Sequence, residues 1–132
     1  MFPRGYVKRA YNRSSRVVRT GADVELFHNA NEENLRRKYG LENSFVLLFV
    51  GGNVYARRVD TIRALHVLSK TYDNVRLILD TAREREMLTS LAEKLGVKDK
   101  VLFLHSTSDS ELAEVYVACD AFVYPSSASR GV

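Results

Sequence analysis

The sequence has 132 residues, of which 45% are hydrophobic and 27% charged, with a formal net charge of +4. That is enough chain to bury the core of one domain and too apolar for a disordered segment, while no run is long enough to cross a membrane as a helix and the amino terminus lacks the apolar stretch of a secretion signal. A cytoplasmic location is the expectation, and the single cysteine, Cys119, excludes an intrachain disulfide.

The charge is concentrated at one end. Residues 1–20 carry Arg4, Lys8, Arg9, Arg13, Arg16 and Arg19 and no acid, which leaves fourteen basic against sixteen acidic residues in the remainder. A division into a basic arm (1–20) and an α/β body (21–132) is expected. The arm is either a solvated helix face or a contact for an anionic membrane, a nucleic acid or a phosphorylated ligand, with residues 4–19 the candidates for peripheral membrane contact. No aromatic-basic surface motif marks a dedicated nucleic-acid reader.

Within the arm, Gly5 to Tyr11 fits a short amphipathic helix and Arg16 to Val18 a short strand. Thr20-Gly21-Ala22-Asp23 then turns the chain. A helix is predicted from Asn31, which caps it, through Glu32 and Glu33 in its first turn to a stop at Gly40. Phe45-Val46-Leu47-Leu48-Phe49-Val50 is a continuous apolar run ending on Gly51 and Gly52, the pattern of a central strand buried on both faces. Beyond it, Val59, Ile62, Leu65, Leu68 and Tyr72 repeat at helical spacing as one apolar stripe, with His66 on its flank. Val75 to Leu79 is the second strand. Thr81 and Glu84 have the spacing of a capping box for a helix carrying Leu88, Leu91 and Leu95 and stopping at Gly96. Val101 to Leu104 is the third strand, and Ser108 with Glu111 caps a helix whose inner side holds Leu112, Val115, Tyr116 and Cys119, where the thiol reads as core packing rather than a nucleophile. Ala121 to Tyr124 is the fourth strand, ending at Pro125.

Strand and helix thus alternate with short connections, which predicts a Rossmann-like parallel sheet flanked by helices on both faces. In such a sheet ligands gather where the central strand hands over to its helix, so Gly51, Gly52, Arg57 and Arg58 are candidates for holding an anion such as a phosphate. The stretch from Pro125 to Val132 is small and polar with no helix behind it, and the body is expected to be incomplete at that end.

Five segments resemble, in order and spacing, the donor-binding carboxyl-terminal half of GT-B glycosyltransferases of group 1, also called family 4. Val17 through Phe27 is similar to the family's "V-I-P-N-G-V-D-x-x-x-F". Phe49-Val50-Gly51-Gly52 through Asp60 is similar to "F-V-G-R-x-x-x-x-K-G-x-D", and Leu77 through Arg85 lies where "L-x-I-V-G-D-G-P-E-R" is expected. Val101 through His105 with Glu111-Leu112, and Asp120 through Ser126, match "V-x-F-x-G … x-E-L … D-x-F-V-x-P-S". The resemblance covers residues 5 to 126 and stops before the family's Glu-x(7)-Glu element, Ser129 standing near its first glutamate.

The resemblance implies transfer of a sugar from a UDP-, GDP- or ADP-sugar, bound as substrate, to an acceptor held by another domain or a partner chain, with no cofactor or metal required. It assigns the donor to Gly51, Gly52, Arg57, Arg58, Thr81, His105 and Ser126. Arg57 keeps the charge of the family's lysine; Gly52 replaces its arginine, which removes one phosphate contact, and Arg58, standing where the family has glycine, either compensates for it or does not. Asp80, Thr81 and Ala82 stand where the family has Gly-Asp-Gly, and His105 stands for a glycine beside the nucleotide base, where it stacks on a base or is simply an exposed loop residue. The resemblance identifies no catalytic residue. The alternative function is a non-catalytic nucleotide-binding or protein-interaction module derived from such a domain. A phospho-receiver domain has a similar rhythm but needs an acidic cluster, and Asp80 stands alone.

Overall fold

The computed structural model describes residues 9–13, 21–51, 55–81, 84–105 and 108–125. The strand expected at 16–18, the first part of the helix expected from Gly5, and the candidates Gly52 and Ser126 lie outside them; residues 9–11 are helical. The elements are α1 (Val24–Asn29), α2 (Glu32–Tyr39), β1 (Phe45–Val50), α3 (Tyr55–Leu68), β2 (Val75–Asp80), α4 (Arg85–Lys94), a short 3-10 turn (Lys98–Lys100), β3 (Val101–Leu104), α5 (Asp109–Val117) and β4 (Ala121–Phe122).

The four strands are parallel in the order β3-β2-β1-β4. Phe45 to Val50 pair with Val75 to Asp80, and Leu47 and Leu48 pair on the other edge with Ala121 and Phe122. Because side chains alternate along a strand, β1 faces two helical layers with the apolar residues Val46 to Phe49, whereas Phe45 at its start is exposed. Leu47 and Phe49 pack with Leu77, Leu79, Ile62, Leu65, Leu88 and Ala92 under α3 and α4. Val46 and Leu48 pack on the opposite face with Ile78, Leu35, Val115 and Ala118 under α2 and α5. Each such side chain withdrawn from water contributes roughly 2 kcal/mol.

Local signals account for most boundaries. Asn31 accepts a bond from the Glu33 N–H (2.9 Å) at the start of α2, and Gly40, at φ +65°, ends it with its N–H on the last carbonyls. Ser108 and Glu111 form the expected reciprocal capping box of α5. Four expectations need correction. First, α1 is an additional helix, capped by Asp23 through the Leu26 N–H (3.1 Å); its signal was an aspartate followed by Glu25, acidic in the first turn. Second, Thr81 and Glu84 form no capping box. The Thr81 N–H instead donates to the Leu104 carbonyl (3.0 Å), lengthening the sheet, and Glu84 is the residue before α4, at φ +59° with no capping bond from its side chain. Third, the apolar stripe of α3 stops at Leu65, since Leu68 and Tyr72 are exposed and the helix has ended before Tyr72. Fourth, β4 pairs only over Ala121 and Phe122, although the Val123 N–H still reaches the Leu48 carbonyl (2.8 Å). His66 does more than flank its helix: its Nδ1 donates to the Leu95 carbonyl at 2.8 Å, tying α3 to the end of α4.

The amino end of the sheet is closed by one ion pair. Arg36 Nη2 donates to Asp120 Oδ2 at 2.8 Å, and the same oxygen accepts the Val46 N–H at 2.7 Å. Arg36 also donates through Nε to the Ala118 carbonyl (3.0 Å) and through Nη1 to the Ser44 carbonyl (3.2 Å). One guanidinium therefore joins α2, the entry to β1 and the entry to β4.

Candidate functional site

The opposite, carboxyl end of the sheet carries the candidates. The strand order sets them along one edge as His105 after β3, Thr81 after β2, Gly51 after β1 and Tyr124 after β4. The connection from β1 runs to β2 and that into β4 returns to the other side of β1, so strand order reverses between β1 and β4. A crevice opens at such a reversal in an open α/β sheet.

Arg57 and Tyr124 face each other across that reversal. Gly51, at φ +73°, turns the chain off β1 in a conformation that side-chain-bearing residues rarely adopt. Arg57 then lies in the first turn of the 14-residue α3, and that turn holds no acid. A cation there opposes the helix dipole, so the local rule is broken where an anion would restore it. The guanidinium lies over the Tyr124 ring, with Cζ 4.8 Å from its centroid, and Nη1 donates to the Tyr124 hydroxyl. The tyrosine is itself backed by fully buried Phe49, ring centroids 5.7 Å apart and planes 11° off parallel, and by Phe122 at 6.2 Å. The sequence pattern places Tyr124 in the fourth strand with no further role, whereas it follows β4 at the reversal, and that position is what marks it.

The other candidates are arranged differently. Arg58 is buried, 2% exposed, and turned inward, its Nη1 2.7 Å from Glu84 Oε2. It links α3 to the residue that opens α4. Thr81 is buried with its N–H engaged by Leu104. His105 is exposed at the rim of a cavity of about 240 Å³ between β3, α2 and α5, together with Lys38, Tyr39 and Glu114. Glu111, also lining it, accepts the Ser108 N–H in its capping box. The structure thus brings Thr81 beside the end of β3, brings Arg57 together with Tyr124, and sends Arg58 into the interior. Two groups on the α5 side have raised pKa values. Burial pushes up both the Tyr116 phenol and the Cys119 thiol, with neighbouring acidic groups adding to it. Cys119 Sγ donates to the Tyr116 carbonyl at 3.0 Å, in line with a packing role. Among the described residues no three His, Cys, Asp or Glu side chains converge as a metal site, and no helix is long and apolar enough to cross a membrane.

Fold and site together define a doubly wound α/β protein with an arginine–tyrosine pair at its strand reversal. Residues 31–129 match the family model described as glycosyl transferases group 1, and the chain belongs to that family, corresponding to its GT-B carboxyl-terminal domain. It is 33% identical over 124 residues to a D-inositol 3-phosphate glycosyltransferase of Stackebrandtia nassauensis, covering 83% of this chain and 28% of the relative. Over 95 residues it is 30% identical to an uncharacterized glycosyltransferase of Methanocaldococcus jannaschii, covering 70% of this chain and 24% of the relative. Among solved structures it is similar to WaaG, a glycosyltransferase involved in lipopolysaccharide biosynthesis, with TM-score 0.70 and 26% identity, covering 89% of this chain and 34% of that one. HepE of Anabaena, solved in complex with UDP-glucose, shares the fold at TM-score 0.64 and 21% identity, covering 84% of this chain and 32% of that one. The chain therefore spans between about a quarter and a third of the length of these four proteins.

Proposed function

We propose that this chain binds the nucleoside diphosphate part of a nucleotide sugar at the carboxyl end of its sheet and serves as the donor domain of a sugar-transferring enzyme. The observation that carries this reading is the Arg57–Tyr124 pair between β1 and β4, a guanidinium held at a helix start with no acid in its turn. Sugar transfer builds negative charge on the departing diphosphate, and a guanidinium with the positive end of α3 stabilises charge at that point. The proposal assigns this stabilisation to Arg57 and α3 without a metal. Thr81 and His105, further along the same edge, border the nucleoside. The acceptor is held elsewhere, by another domain or a partner chain. UDP is the first nucleotide to test, because the similar fold of HepE was solved with UDP-glucose.

The buried Arg58–Glu84 pair favours a second reading. If Arg58 is neutralised inside the fold, the phosphate contact missing at Gly52 has no substitute there, and the domain is a non-catalytic module with little nucleotide affinity. Calorimetric titration with UDP, GDP and ADP at two salt concentrations, with and without EDTA, separates the two. The donor reading expects saturable binding of one base, unchanged by EDTA and weakened by salt, with Arg57→Ala raising Kd by about tenfold or more. Absence of heat with all three nucleotides selects the module.

A further inference from the structure

We propose that Tyr124 is a positioning residue for Arg57: it fixes the guanidinium at the mouth of the crevice in the orientation that receives the donor's diphosphate. This rests on the donor-binding reading above and adds a residue and a mechanism to it.

An arginine side chain has many rotamers, and one lying in the first turn of a helix without an acidic partner would spend most of its time dispersed in water. Arg57 is held in two ways at once, by the face of the Tyr124 ring at 4.8 Å and by the hydroxyl that accepts from Nη1. Neither contact neutralises the charge. A carboxylate in the same place would hold the side chain equally well but would cancel the positive charge that a phosphate needs, as Glu84 does for Arg58. A hydroxyl takes one N–H of the fork and leaves the others to grip phosphate oxygens in pairs.

The ring is fixed in turn. Tyr124 stacks on Phe49, which is fully buried in the layer beneath α3, and on Phe122 of β4. The chain of contacts therefore runs from the rigid centre of the sheet through one aromatic ring to the free cation, and it crosses from the β4 side to the α3 side of the crevice. Support of this kind lowers the ordering cost of binding, since the side chain is already placed when the ligand arrives. Arg58 and Arg57 are adjacent in sequence and opposite in use: one charge is spent on joining α3 to α4, and the other is held ready.

The test measures UDP and uridine binding to the wild type, Tyr124→Phe, Tyr124→Leu and Arg57→Ala by calorimetry, together with the rotation of the Arg57 guanidinium in the free proteins by side-chain NMR. Loss of the ring contact and hydrogen bond in Tyr124→Leu is expected to weaken UDP binding about fivefold to tenfold, and loss of the hydroxyl alone in Tyr124→Phe about twofold to threefold. Uridine, which lacks phosphate, should bind all four proteins alike. The guanidinium should rotate faster in Tyr124→Leu, with Tyr124→Phe intermediate. The salt dependence of UDP binding should persist in Tyr124→Leu, where the charge remains, and diminish in Arg57→Ala. UDP binding to Tyr124→Leu at wild-type strength or tighter overturns the positioning role while leaving the donor site in place. An equal loss for UDP and uridine overturns it as well, because it marks general disruption of the site. If the wild type binds no nucleotide, the donor reading itself falls, and the ligand half of this proposal with it.

Discussion

The two ends of the central strand handle arginine in opposite ways. At the amino end Arg36 is saturated: it meets Asp120 and the carbonyls of Ala118 and Ser44, and the acid also takes the Val46 N–H. At the carboxyl end Arg57 meets only an aromatic face and a hydroxyl among the contacts described, and its charge is not cancelled. The first arrangement fastens strands together, whereas the second leaves the fold with an electrostatic demand that a ligand can meet. In an open α/β sheet this asymmetry separates the structural end from the functional one.

The most forceful way to break the comparison is at the amino end. Asp120→Ala removes the acceptor shared by Arg36 and Val46 and should cost about 2 kcal/mol of stability, read from urea unfolding, because both donors lose a charged partner in a partly shielded site. UDP affinity measured where the variant is folded should not change; a large drop would mean that the two ends are not separable. Next in size is Gly51→Ala, expected to cost about 1 kcal/mol of stability, since an added methyl meets no atom within 4 Å and the penalty is the left-handed backbone alone. Here nucleotide affinity should fall too, which distinguishes this end from the other. The smallest effect concerns Cys119 beside Asp120. Its thiol pKa is raised by burial, so the folded state favours the neutral form. The stabilisation is therefore present below the thiol's unfolded pKa and is lost as pH rises through the higher folded value. Alkylation near pH 8.5 should run several-fold slower in the native protein than in urea, because the reactive species is the thiolate; equal rates would show that the amino end does not shield it.

Much of the fold was legible because its signals are local. The apolar run of β1, the Asn31 and Gly40 caps and the Ser108–Glu111 box each sit within a few residues of what they determine. Thr81 and Glu84 had the same spacing as a box, but sheet pairing with Leu104 and a distant arginine outcompeted the cap. Of the site, the glycine turn and Arg57 could be found from the strand-to-helix pattern. The different fates of Arg57 and Arg58 could not, because adjacent residues of one type look alike until the helix fixes which faces inward. Tyr124 and the Arg36–Asp120 pair were hidden for a related reason, since their partners lie 67 and 84 positions away.

Strand order also sets a timetable. Asp120, which leads into β4, lies 74 positions after Val46, and β1 has no other partner on that edge among the described residues. At about 5–20 residues per second of synthesis, roughly 4–15 s separate the appearance of the two on the ribosome. Once β2 has followed, the apolar β1 can pair with it on one side while its other edge stays open until β4 is made, a condition that favours association with other nascent chains. Closing the edge and creating the crevice are one event, because Arg57 has no Tyr124 to rest on until β4 docks; a half-made chain is at once the stickiest form of this protein and one without its ligand site.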